Sequence, residues 1–237
     1  MAVTPEAGGA IRADGTGAGG PPRAVLWDMD GTLVDTEPLW GVALDEVAAE
    51  LGRPLDQAIR DAMTGTDDRT TMRMLAEYTG VAVTGARLDA LHERIVERVA
   101  GILRESVPVL EGAVEAVRGV RAAGAATALV TSSPRRVTEV VLGALAGAEF
   151  DAVVTAEDVE RRKPDPQPYL LGAHLLGVPP TACWAVEDSP SGAEAAERAG
   201  CRVLLAPGAL PGAHGPGRTH LAALNALVDL AGAAPAG

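Results

Sequence analysis

Asp28 and Asp30 stand two residues apart, directly after the apolar run AVLW (24–27) and before Gly31. At a strand end that spacing turns both side chains to one side, and glycine permits the tight exit that follows. A second apolar run, CWAV (183–186), ends in Glu187-Asp188-Ser189, and a third, ATALV (126–130), ends in Thr131-Ser132-Ser133. One aspartate at a strand end is commonly a turn or helix cap. Four acids aimed at one spot are different, because like charges resist joint ionisation. A hard divalent cation relieves that repulsion, and Mg²⁺ suits carboxylates combined with a substrate phosphate. A calcium loop starting at Asp28 fails, since its fifth, sixth and twelfth positions would be Thr32, Leu33 and Leu39.

Lys163 carries a further signal. Of 20 basic residues, 19 are arginines, so it is the chain's only lysine. A compact ammonium with three donors does not substitute for a planar guanidinium. In Arg162-Lys163-Pro164-Asp165-Pro166, just ahead of a helical pattern, it is expected to act as a point charge. Its target would be a phosphoryl group or a nucleophilic carboxylate. Thr131 and Ser132, preceding a helix from Pro134, form a hydroxyl-plus-amide site suited to an anion.

These clusters must be positioned by a scaffold. AVLW, ATALV, AVVT (152–155), CWAV and RVLLA (202–206) are continuously apolar, as strands covered on both faces are. Helical patterns lie between them at about 111–123, 134–146, 166–177 and 190–199. The alternation predicts an α/β fold with a doubly wound, Rossmann-like parallel sheet. In such sheets ligands bind outside the carboxyl ends of the strands, so the three polar clusters should converge. Between 37 and 106 the patterns are helical throughout, which predicts an inserted α-helical cap domain. The expected organisation is a disordered tail over 1–22, a core formed by 23–36 and 107–232, the cap over 37–106, and a tail over 233–237. The tail's GTGAGG (Gly15, Gly17, Gly20) lacks the strand and helix a dinucleotide motif needs.

Composition removes other functions. A net charge of −12 and a single phenylalanine argue against nucleic acid and anionic membranes as partners. Two cysteines, Cys183 and Cys201, exclude a disulfide scaffold or a cysteine-rich zinc site. No apolar stretch reaches ~18 residues, and the first residues do not form a secretion signal. A cytoplasmic monomer is expected. No G-x-S-x-G elbow is present for a serine hydrolase.

The segments D-M-D-G-T-L-V-D-T-E (28–37), T-S-S (131–133), K-P-D-P (163–166) and E-D-S-P-S-G (187–192) resemble, in order, the four motifs of the haloacid dehalogenase-like superfamily. The helical insert is similar to the cap of its β-phosphoglucomutase-like branch, and DTEPLW (35–40) resembles the sugar-phosphate phosphatases. The resemblance implies Asp28 as nucleophile, forming an aspartyl phosphate, and Asp30 as acid and base. It implies Mg²⁺ on Asp28, the Asp30 carbonyl and Asp188, with Glu187 direct or through water. Thr131, Ser132 and Lys163 would hold phosphoryl oxygens. Asp30 argues against a haloacid dehalogenase, and a cap without lysine argues against Schiff-base chemistry. The stretch Thr64–Arg69 has no lysine nearby, unlike the mutase loop, which favours hydrolysis over a phosphomutase. Arg69 and Arg73 are candidates to read substrate from the cap. The expected activity is hydrolysis of small phosphorylated metabolites, sugar or polyol phosphates. The alternatives are a phosphomutase or an inactive binding protein on the same core. The segments near 35–38 and 105–110 are the expected hinges.

Overall fold

A computed structural model describes residues 21–63, 66 and 68–232. The GTGAGG segment, Thr64, Gly65, Asp67 and the last five residues lie outside the described residues, as does most of the expected N-terminal tail. Six strands form one parallel sheet: β1 (Ala24–Trp27), β2 (Ala126–Val130), β3 (Ala152–Val154), β4 (Cys183–Glu187), β5 (Arg202–Leu205) and β6 (Thr219–His220). Their order is β3-β2-β1-β4-β5-β6. The order reverses at β1, where a doubly wound sheet opens its ligand crevice. The fold class is therefore as the apolar runs predicted.

Alternation along the strands splits the core between two faces. Val25 and Trp27 of β1 face one way, with Leu129, Val186 and Leu204. Ala24 and Leu26 face the other, with Ala128, Val130, Ala185 and Leu205. The first face is covered by α5 (Ala113–Ala122), α6 (Arg135–Ala144) and α9 (Ala226–Gly232), the second by α7 (Gln167–Leu175) and α8 (Pro190–Ala199). Pro190 occupies the first turn of α8, where its missing N–H costs nothing. Pro134 and Pro166 sit one step earlier, at the caps of α6 and α7.

Between β1 and α5 lie α1 (Glu37–Glu50), α2 (Gln57–Met63), α3 (Asp68–Thr79) and α4 (Gly85–Glu105), with no strand among the described residues. The long amphipathic α4 buries Leu91, Ile95, Val99 and Leu103, and it packs on α6. The insert's two connections run side by side. Val34 bridges Val109, the Asp35 N–H donates to the Pro108 carbonyl at 2.9 Å, and that of Leu110 to Leu33 at 2.9 Å. No helix among the described residues is long and apolar enough to cross a membrane.

Candidate active site

The β1 ladder continues through Asp28, whose N–H donates to the Val186 carbonyl of β4 at 3.0 Å. The chain then turns sharply: the Gly31 N–H donates to Val34 and that of Leu33 to Met29. Gly31 has φ +80°, a conformation that side chains disfavour. A Cβ there would also lie 2.1 Å from Asp188 Oδ2. Gly31 therefore both makes the turn and leaves room for a carboxylate from β4.

Lys163 joins the strand ends. Its Nζ donates to Asp28 Oδ1 at 2.6 Å, Glu187 Oε1 at 2.6 Å and the Val130 carbonyl at 2.9 Å. All three ammonium hydrogens are thereby used. Of its two expected targets, the Asp28 carboxylate is the one it meets in this structure. Burial opposes its charge, yet Asp28 and Glu187 outweigh burial and hold its pKa above the ordinary value. Glu187 is fully buried. Its Oε1 also accepts from the Tyr169 hydroxyl at 2.5 Å, and its Oε2 accepts from the Ser189 hydroxyl at 3.1 Å. A Cβ on Gly192 would lie 1.9 to 2.1 Å from the Glu187 carboxylate atoms, so the first turn of α8 forms a cradle that only glycine leaves open.

One oxygen each from Asp28, Glu187 and Asp188 lies within 4.8 Å of the others. Burial, then Glu187, raises the Asp28 carboxyl well above the usual range despite Lys163. The same two causes push Asp188 up to about 7. The crowding of three carboxyl groups that raises Asp28 and Asp188 is what a bound cation would relieve. The donor set, all oxygen, fits a hard cation such as Mg²⁺.

The Asp30 carboxylate is held by three hydroxyl groups. Its Oδ1 accepts from the Thr36 hydroxyl, and its Oδ2 from Thr131 at 3.1 Å and Ser133 at 2.7 Å. The Thr131 oxygen also accepts from the Ser133 N–H at 2.9 Å. Ser132 is exposed at the same strand end. Thr36, Ser133 and Tyr169 are site residues that sequence reasoning missed. Alternation after β2, with 131 and 133 inward and 132 outward, was a usable signal for Ser133. Nothing in the residue pattern marks Tyr169 as more than a core aromatic.

Arg69 and Arg73 are exposed on α3. The lysine's neighbour Arg162 reaches the insert, pairing with Asp68 of α3 at 2.6 Å.

A family profile described as haloacid dehalogenase-like hydrolase matches residues 22–200. Hexitol phosphatase B of Escherichia coli K12 is 36% identical over 186 residues, 78% of this chain and 83% of that protein. A phosphorylated carbohydrates phosphatase of Thermotoga maritima is 34% identical over 179 residues, 75% and 82% of the two chains. Among solved structures, CbbY of Rhodobacter sphaeroides in complex with xylulose-(1,5)bisphosphate superimposes with a TM-score of 0.73. It is 26% identical, and the match covers 86% of this chain and 95% of that one. With its four motifs gathered at the carboxyl ends of β1, β2 and β4, the chain is an enzyme of the haloacid dehalogenase-like hydrolase family.

Proposed function

We propose that the protein is a Mg²⁺-dependent phosphatase of small phosphorylated sugars or polyols. The observation that carries this reading is the buried Asp28–Lys163–Glu187 arrangement beside Asp188. It presents a nucleophilic carboxylate, a fixed cation and a site for a second one within a few ångströms. The names of the relatives support the substrate class.

Phosphoryl transfer needs positioning and charge neutralisation above all. An Asp28 oxygen attacks phosphorus as the bond to the sugar oxygen breaks, leaving an acyl phosphate on Asp28. Asp30 gives a proton to the departing oxygen and takes one from the water that then cleaves the acyl phosphate. Lys163 opposes the burial that raises the Asp28 carboxyl and favours its ionised form. Thr131 and Ser132, at the carboxyl end of β2, would hold phosphoryl oxygens. Asp28, Asp188 and the Asp30 carbonyl would hold Mg²⁺, which supplies charge neutralisation at the phosphoryl oxygens. Both Glu187 oxygens are engaged by protein donors, which suits a role in holding Lys163. The helices over 37–106 act as the cap over a core of 23–36 and 107–232, and the paired connections at Val34 and Val109 serve as its hinge. Arg69 and Arg73 remain the proposed cap contacts to substrate.

The test is phosphate release from sugar, polyol and nucleotide monophosphates, with Mg²⁺ or EDTA, and with β-glucose 1-phosphate also read as glucose 6-phosphate. Metal-dependent release concentrated on sugar or polyol phosphates is expected. Isomerisation without release would make the protein a mutase. Silence throughout, in a folded protein, would favour an inactive core.

A further inference from the structure

In this structure every hydrogen of the Lys163 ammonium is committed: to Asp28, to Glu187 and to the Val130 carbonyl. A lysine with no free donor cannot hold a phosphoryl oxygen until it gives one bond up. Releasing Glu187 would ordinarily leave a fully buried carboxylate oxygen unpaired, which is costly. One residue removes that obstacle. The Tyr169 hydroxyl donates to the same oxygen, Glu187 Oε1, from a ring that is itself fully buried. That ring also lies 5.1 Å from the ammonium, within the reach of a cation–π attraction.

We propose that Tyr169 is a positioning residue that holds Glu187 Oε1 while Lys163 shifts a hydrogen bond from Glu187 to the phosphoryl group. In this role Tyr169 touches neither the substrate nor a metal ion. It lowers the cost of moving the lysine, so its effect falls on the phosphoryl-transfer step and not on binding. The proposal rests on the phosphatase reading above.

Tyr169→Phe removes the hydroxyl and keeps the ring, and is expected to lower kcat about tenfold or more with KM within about twofold. A second readout is independent of turnover. Because Lys163 is the only lysine, ¹⁵N-lysine labelling gives one side-chain ammonium resonance. Adding Mg²⁺ with beryllium fluoride should displace it in the wild type and displace it less in Tyr169→Phe. Should that variant not fold, fluorotyrosine incorporated into Tyr78→Phe protein reports on Tyr169 alone, and its fluorine signal should move on the same addition. A kcat within twofold of wild type with an unchanged ammonium response overturns the role, as does an immobile fluorine signal. Parallel losses of kcat, KM and melting temperature with a wild-type ammonium response would make Tyr169 a packing residue only, which also overturns it. A wild-type chain that neither releases phosphate nor responds to beryllium fluoride overturns the phosphatase reading and this role with it. An active wild type with an indifferent Tyr169→Phe overturns this role alone.

Discussion

Lys163 and Arg98 each bridge two carboxylates, in opposite surroundings. The Lys163, Asp28 and Glu187 side chains are 4%, 9% and 0% exposed. Those of Arg98, Glu46 and Glu50, between α1 and α4, are 39%, 45% and 42% exposed. At the buried cluster, burial dominates the carboxylates and raises Asp28 and Asp188. At the insert, hydrogen bonding from Arg94 comes first and holds Glu50 below its usual value. The insert's network lies in contact with water, whereas burial and like charge in the other cluster oppose ionisation of its carboxyls. Exposed pairs of this kind contribute little to stability, whereas breaking a buried pair is costly.

Removing Lys163 should break the comparison most severely. Lys163→Met leaves Asp28 and Glu187 buried without their cation, and breaking such a pair costs about 3–5 kcal/mol. Urea unfolding should show that loss together with the loss of turnover. Next comes Gly192→Ala. Alanine is the better helix former by up to ~1 kcal/mol, but its Cβ would overlap the whole Glu187 carboxylate. Overpacking of ~1–3 kcal/mol should win, read as a lower urea midpoint and reduced turnover.

Metal removal should give a smaller, pH-dependent effect. Asp188 has a folded pKa of about 7, above the unfolded value, so the folded state binds its proton more tightly. That contribution to stability is complete below the unfolded pKa and is lost as pH rises through about 7. In EDTA the melting temperature should therefore fall across that window, and Mg²⁺ should reverse the fall. A melting temperature that rises over the window would contradict the account. Smallest of all is Glu50→Gln at the exposed network, where melting temperature and turnover should match wild type.

The sheet was legible because parallel strands covered on both faces are continuously apolar: the runs at 24–27 and 126–130 coincide with β1 and β2. The two-residue β6, and the seven-residue helices α2 and α9, were not. They are too short to show a period. The acids and the lysine stood out because their residue types are conspicuous at strand ends. At the end of β2 the pleat turns Ser133 inward to Asp30 and leaves Ser132 exposed, a division the residue types alone do not show. Tyr169 was illegible for another reason: its hydroxyl meets a carboxylate from β4, a contact only the folded chain creates.

The most direct test of the central claim is acid-quenched mass spectrometry of the wild-type protein turning over a sugar phosphate with Mg²⁺. The account predicts a phosphoryl group on the peptide containing Asp28, absent from folded Asp28→Asn protein that releases no phosphate. Undiminished phosphate release by Asp28→Asn, or a phosphoryl group mapped to another residue, would contradict it.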